Sequence, residues 1–89
     1  MLKLRADALA WREVDGEAVV LDTRTSTYLA VNPAATVLWR LLAEGATEAA
    51  LVAALVTDYG IEADLAEADV ALFLDDLRAR DYLEPGDAG

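Results

Sequence analysis

Short runs of residues that favour β-strands occupy the first third of the chain, at residues 11–14, 17–22 and 27–31. Asp15-Gly16 separates the first two runs and predicts a type I′ hairpin turn, because both central positions of that turn take positive φ. The third run is rich in β-branched and aromatic residues, which are typical of strands. Three strands with short links predict an antiparallel meander in the order 1-2-3, with the third strand at an edge.

After residue 31 the apolar spacing changes to the three- and four-residue steps of amphipathic helices. Asn32 followed by Pro33 predicts the start of a first helix, and Gly45 predicts its end. Thr47 and Gly60 mark the limits of a second helix in the same way. The predicted core stripes are Val37, Leu38, Leu41 and Leu42 on the first helix, and Leu51, Leu55, Val56 and Tyr59 on the second.

A third helix is predicted from Asp64, which is followed by Glu67 at the spacing of a capping box. It continues to about Arg80, and its core stripe comprises Val70, Phe73, Leu74 and Leu77. Tyr82-Leu83 is expected to fold back on the core, and residues 85–89 are expected to form a flexible tail. Residues 1–84 are therefore predicted to be one α+β domain, with a three-stranded antiparallel sheet followed by three helices.

Composition and charge remove several classes of function. The chain has 89 residues, 56% of them hydrophobic, which indicates one small folded domain and excludes a disordered segment. Seven Lys and Arg against 17 Asp and Glu give a formal charge of −10. We therefore expect no binding to nucleic acid and none to anionic membranes, since both need a basic surface.

Enzyme chemistry has few candidate residues. The chain lacks His and Cys, which excludes Cys/His zinc sites, thiol and imidazole catalysis, and disulfides. Ser26 is the only serine, and no phosphate-binding glycine loop or EF-hand spacing is present. We predict no catalytic residue, no metal and no cofactor, and do not expect an enzyme. No apolar run reaches the ~18 residues of a membrane span and no signal peptide is evident, so the predicted location is the cytoplasm.

The third strand has an unprotected edge in this prediction. Soluble proteins usually protect an edge with Lys, Pro or a bulge, whereas Thr27, Tyr28, Leu29, Ala30 and Val31 include no charge and no proline. In one interpretation the edge is covered by a helix, or is too short to matter. In the other, an extended peptide pairs with it as a fourth strand, so that backbone hydrogen bonds provide affinity and side-chain pockets provide selectivity.

The third helix carries a second stripe of mixed apolar and acidic character, formed by Leu65, Asp69, Leu72 and Asp76. If this helix lies beside the third strand, the stripe forms the other wall of a peptide groove. Alternatively, Leu72 packs against a neighbouring loop and the acidic residues are a solvated face.

Acidic residues are concentrated in the same region. From residue 62 to residue 76 there are six acids and no base: Glu62, Asp64, Glu67, Asp69, Asp75 and Asp76. The first three favour the helix dipole, but the last three need another explanation. Such a surface would attract a cationic peptide and make its association rate sensitive to salt.

The ordered set of motifs resembles the PqqD-like peptide chaperones, the precursor-peptide recognition elements of pathways that make ribosomally synthesised, modified peptides. The residues that carry the resemblance are Val20-Leu21-Asp22, Tyr28-Leu29-Ala30-Val31-Asn32-Pro33, Val37-Leu38-Trp39-Arg40-Leu41-Leu42, Gly45-Ala46-Thr47, Asp69-Val70 and Phe73-Leu74-Asp75-Asp76-Leu77. Where many members have glycine before the tyrosine, this chain has Ser26.

The resemblance implies a winged-helix-like fold that binds the leader segment of a precursor peptide. The leader would lie along the strand Thr27 to Val31, in a cleft closed by the helix wall from Leu65 to Asp76, which includes Phe73. The complex would then be delivered to a leader peptidase and cyclase, as in lasso-peptide pathways, or to a radical-SAM enzyme.

Two other classes of function compete with peptide binding. In a dimerisation or structural module, the edge strand would pair with the same strand of a second copy. A DNA-binding winged helix would share the general shape, but its recognition helix should carry Arg or Lys, and the third helix has none before Arg78.

Overall fold

The computed structural model describes residues 1–84, and the tail predicted at residues 85–89 lies outside them. Its elements are β1 (Leu9–Val14), β2 (Glu17–Asp22), β3 (Thr27–Val31), α1 (Pro33–Glu44), α2 (Glu48–Tyr59) and α3 (Ala63–Ala79). The strands form one antiparallel sheet in the order β1-β2-β3. The predicted α+β class, the strand order and the edge position of β3 are confirmed.

Both turns of the sheet use left-handed backbone conformations. Asp15 has φ 53° and Gly16 has φ 81°, as a type I′ turn between Val14 and Glu17 requires. In the β2–β3 turn Ser26 has φ 57°, in the left-handed region where glycine is the least strained residue. A glycine at position 26 would therefore adopt this turn with less backbone strain than Ser26 does.

The helix starts confirm two predicted caps and contradict a third. Asn32 Oδ1 accepts the backbone N–H of Ala35 at 2.8 Å, and Thr47 Oγ1 accepts that of Ala50 at 3.1 Å. The capping box predicted at Asp64 and Glu67 is wrong, because Glu62 is the N-cap of α3 and makes no side-chain capping bond. Asp64 instead lies in the first turn of α3, where its charge favours the helix dipole.

The predicted core stripe of α2 is partly wrong. Leu51 and Leu55 are buried, but Val56 is 37% exposed and Tyr59 is 45% exposed. Val56 lies about 100° around the helix axis from Leu55, so it falls beside the buried stripe. Tyr59 is the last residue of the helix. Only the middle of α2 therefore packs into the core.

Trp39 of α1 lies at the centre of the core and is fully buried. Its ring meets that of Trp11 on β1 at a centroid distance of 6.2 Å, and that of Tyr82 at 6.5 Å, both edge-to-face. The expected return of Tyr82 and Leu83 to the core is confirmed, since both are buried. These ring contacts join the sheet, α1 and the segment after α3.

The first residues of the chain also belong to the core, which the sequence analysis did not predict. Leu2 and Leu4 are buried. Leu2 pairs with Ala46, and Leu4 pairs with Leu83, each in an isolated antiparallel bridge. The N-terminal segment therefore holds together the α1–α2 link and the segment after α3.

An ion-pair network surrounds one end of the sheet. Asp81 accepts from Arg5 at 3.0 Å and from Arg24 at 3.1 Å, and Arg24 also pairs with buried Asp22 at 3.3 Å. Hydrogen bonds from the Arg24 side chain, and to a lesser degree from its backbone N–H, lower the pKa of Asp22. The network fixes the β2–β3 turn against the N-terminal segment and the segment that follows α3.

Thr36, in the first turn of α1, connects the helix to two strands and is completely buried. Its hydroxyl accepts the backbone N–H of Ala18 on β2 at 2.9 Å. The hydroxyl oxygen also lies within donating distance of two carbonyl oxygens, that of Val31 at 3.1 Å and that of Asn32 at 2.9 Å. This single side chain therefore sets the position of α1 relative to the end of β3.

Replacing Thr36 tests this connection. In Thr36→Val the buried N–H of Ala18 loses its acceptor, so we expect the free energy of unfolding to fall by about 1–3 kcal/mol. Thr36→Ser keeps the hydroxyl and loses one methyl group, so we expect a loss of only ~1 kcal/mol. Urea unfolding followed by circular dichroism measures both variants. A Thr36→Val variant as stable as the wild type would contradict the assigned role.

The lowered pKa of Asp22 predicts a loss of stability in acid. The folded state binds this proton less tightly than the unfolded state, so the carboxylate stabilises the fold above its unfolded pKa. This contribution disappears as the pH falls through the lower folded pKa. Urea unfolding between pH 7 and pH 2 should show a weaker pH dependence for Asp22→Asn than for the wild type. Parallel curves would show that the Arg24 contact has no energetic effect.

Candidate peptide-binding site

The free edge of β3 is the first component of the site. Within residues 1–84, β3 pairs with β2 on one side, and no strand pairs with it on the other. The strand contains no charged residue and no proline, so it lacks the side chains that usually protect an edge strand from pairing. The predicted exposed edge is therefore present in the fold.

The side chains of β3 alternate between the two faces of the sheet. Val31 is buried and Leu29 is partly buried, so both face the core. Tyr28, which is 72% exposed, and Ala30 lie on the outer face. Val31 has almost no accessible surface, and its carbonyl oxygen already accepts from Thr36 Oγ1.

A cavity of about 310 Å³ lies between the helices, next to the end of β3. Its walls come from the start of α1, the middle of α2, the α2–α3 link and the middle of α3. The lining residues are Asn32, Ala34, Ala35, Leu38, Leu55, Ile61, Asp69, Leu72 and Phe73. Most of these side chains are apolar, so the cavity suits an apolar side chain of a ligand.

The cavity adjoins the end of β3. Asn32 lines the cavity and directly follows Val31, the last residue of β3. A peptide that extends along β3 to the end of the strand therefore reaches the mouth of the cavity. Leu72, which is 69% exposed, stands on the α3 side of this mouth.

The structure brings together only part of the helix stripe that the sequence predicts. Asp69, Leu72 and Phe73 line the cavity. Leu65 is 56% exposed and does not line it. Asp76 also lies outside the cavity and pairs with Arg80 one turn later, at 3.1 Å. The predicted contacts of Leu65 and Asp76 thus lie beyond the cavity, on the same face of α3.

The floor of the cavity was not predicted, because it belongs to α1, α2 and the link after α2. Leu38 and Leu55 were assigned to the core, and both are indeed almost fully buried. Ala34 and Ala35 give the clearest sequence signal: two small residues in the first turn of α1 leave space that larger side chains would fill. Their role becomes visible only once the fold places the three helices around the cavity.

Within residues 1–84, Asp69 is the only charged residue that lines the cavity. Its side chain is exposed, and no described residue forms an ion pair with it. The carboxylate therefore remains available to a cationic group of a ligand that occupies the cavity. Glu13, in contrast, is paired with Arg40, whose hydrogen bond lowers the pKa of that carboxyl group.

Residues 1–84 contain no cluster of carboxylates arranged to hold a metal ion. In the same range, no helix has both the length and the apolar character needed to cross a membrane. The features that the fold gathers at one place are an open strand edge, an apolar cavity and one carboxylate.

Comparison with known protein families identifies the fold. Residues 17–83 match the family model described as coenzyme PQQ synthesis protein D, PqqD. The chain belongs to the PqqD family. The resemblance inferred from the sequence motifs is thereby confirmed, and the matched region includes both β3 and the whole of α3.

Two solved structures resemble this PqqD-family chain over nearly its full length. TbiB1 in complex with the TbiA(beta) leader peptide is 31% identical, with a TM-score of 0.85, and the match covers 98% of this chain and 99% of that chain. Lasso peptide synthetase B1 complexed with the leader peptide is 26% identical, with a TM-score of 0.81, and the match covers 94% and 98%. No curated protein matches this chain significantly.

Proposed function

We propose that this PqqD-family protein binds the leader segment of a ribosomally synthesised precursor peptide and presents it to a modifying enzyme. The observation that carries the proposal is the free edge of β3, which leads directly into an apolar cavity. The two solved structures it resembles are both complexes with leader peptides, which supports leader binding by this fold.

The backbone of β3 would provide sequence-tolerant affinity. Alternate residues of an edge strand direct both their N–H and C=O groups outward, so the five residues of β3 offer about four to six hydrogen bonds to an added strand. At about 1 kcal/mol net for each bond, these bonds would roughly offset the cost of ordering a disordered leader. Backbone pairing alone therefore gives little net affinity.

The cavity would supply the remaining affinity and the selectivity. An apolar leader side chain placed between Leu72, Phe73 and Leu38 would lose its contact with water, which contributes about 25 cal/mol per Å². Leu29 adds a partly buried surface on the same side of the sheet. We expect dissociation constants from sub-micromolar to micromolar, or ~8 to 10 kcal/mol. That range suits a protein that must release its cargo.

Leu65 and Asp76 would extend the same surface at either end of the cavity. Leu65 is exposed one helical turn before Asp69 and can contact a leader residue outside the cavity. Asp76 is already paired with Arg80, so its contribution to a cationic leader would be smaller than that of Asp69.

We further propose that the protein acts as a non-catalytic carrier. Its partner would be a leader peptidase, a cyclase or a radical-SAM enzyme that modifies the precursor. Because precursor peptides are made on ribosomes, we place the interaction in the cytoplasm. The excess of acidic residues opposes the competing use of the edge, pairing with a second copy, because both copies carry a formal charge of −10.

The direct test is a titration of fluorescently labelled TbiA(beta) leader peptide with the protein, followed by anisotropy. Saturable binding in the micromolar range or tighter supports the proposed function. Absence of binding up to 1 mM protein would contradict it, because that concentration is on the order of one thousand times a micromolar dissociation constant. Sedimentation of the protein alone, over the same concentration range, tests the competing self-association.

Leu72→Asp should abolish this binding and preserve the fold. The side chain is 69% exposed, so the change costs little stability but places a charge at the mouth of an apolar cavity. We expect at least a tenfold weaker affinity, or more than about 1.4 kcal/mol. Val56→Asp is the matched control, because it introduces the same charge on an exposed apolar residue of α2, away from the cavity. Equal affinities for Leu72→Asp and the wild type would show that the groove is wrongly assigned.

Asp69→Lys should weaken binding mainly at low salt. Asp69 attracts a cationic leader through an exposed charge, and such interactions are screened over about 8–10 Å at moderate ionic strength. Asp75→Lys gives the same change in net charge on another face of α3. Anisotropy at 20 mM and 500 mM NaCl should show a larger salt-dependent loss for Asp69→Lys than for Asp75→Lys. A loss that does not depend on salt would contradict electrostatic steering.

A further inference from the structure

The outer face of β2 and β3 is unusually apolar for a surface that faces solvent, and Arg12 of β1 lines a groove on the same face. An antiparallel sheet with one exposed face normally places polar residues outward. Here the outward positions of β2 and β3 are mostly apolar: Val19, Leu21, Tyr28 and Ala30. Glu17, at the start of β2, is the charged residue among these outward positions. A shallow groove of about 320 Å³ crosses this face and is lined in part by Val19, Leu21 and Tyr28.

Tyr28 is the large apolar residue that the edge strand places on this face. It pairs with Leu21 across the sheet, and the two side chains line the same groove. The ring is 72% exposed and belongs to the edge strand itself. A strand added to β3 would place one of its own side chains directly beside this ring.

The inner side of the same edge is also apolar. Leu29 is partly buried beside the core, and beyond the end of β3 the cavity is lined by Leu72 and Phe73. The side chains of an added strand alternate between the two faces. Both sets of side chains would therefore meet apolar protein surface.

We infer that the leader is recognised on both faces of the extended sheet, by the cavity on the inner face and by Tyr28 on the outer face. This inference rests on the proposed function and adds a specificity requirement to it. The leader segment that pairs with β3 should carry apolar residues at consecutive positions, one inward and the next outward. A strand recognised by the cavity alone would need them only at every second position.

Tyr28→Thr tests the outer contact, because threonine keeps the strand preference and removes the ring. Aromatic cross-strand pairs contribute modestly, so we expect the affinity for TbiA(beta) leader peptide to fall about two- to fivefold. Tyr28→Phe keeps the ring and should bind as the wild type does. Val14→Thr is the matched control: Val14 is an exposed apolar residue of β1, at the opposite edge of the sheet, and its replacement should leave the affinity unchanged.

An alanine scan of the TbiA(beta) leader peptide provides the second measurement. Recognition on both faces predicts losses of affinity at consecutive leader positions, and the outward set should lose its effect when measured against Tyr28→Thr. Losses confined to alternate positions, or an unchanged affinity for Tyr28→Thr, would overturn this inference while leaving the proposed function intact. Failure of the wild-type protein to bind the peptide would instead overturn the proposed function, and the inference with it.

Discussion

The position of the candidate site depends on one buried hydroxyl group. Thr36 accepts a hydrogen bond from Ala18 on β2, and its hydroxyl lies within hydrogen-bond distance of the carbonyls of Val31 and Asn32 at the end of β3. These contacts fix where the sheet ends and where α1 begins. Because Asn32 and the next turn of α1 form part of the cavity wall, the same contacts also align the free edge with the cavity.

An open strand edge exposes a protein to aggregation, and this chain limits the risk by means other than blocking the edge. Lys or Pro on β3 would protect the edge but would also hinder a peptide from pairing with it. The formal charge of −10 instead makes two copies repel each other over a distance set by ionic strength. Repulsion that comes from the whole molecule leaves the local backbone groups of β3 available.

Local signals in the sequence predicted the fold well, and non-local contacts account for what they missed. Asp15-Gly16, Asn32-Pro33 and Thr47 each act through bonds to near neighbours in the chain, so the strands, turns and first two helix starts followed from the pattern. The roles of Leu2 and Thr36 depend on residues far along the chain. The α3 wall of the site could be predicted because its residues follow one helical spacing along a single helix. The floor could not, because its residues come from α1, α2 and the link after α2, which meet only in the folded chain.

The edge and the cavity would contribute to peptide binding through different chemical groups. Pairing along β3 uses backbone groups and tolerates many sequences, whereas the cavity is assembled from side chains of three helices and the α2–α3 link. A substitution such as a larger residue at Ala34 or Ala35 would alter the volume of the cavity without touching the backbone of β3. The high structural similarity to chains only 31% and 26% identical shows that this fold tolerates extensive substitution, and a change in the lining of the cavity needs such tolerance.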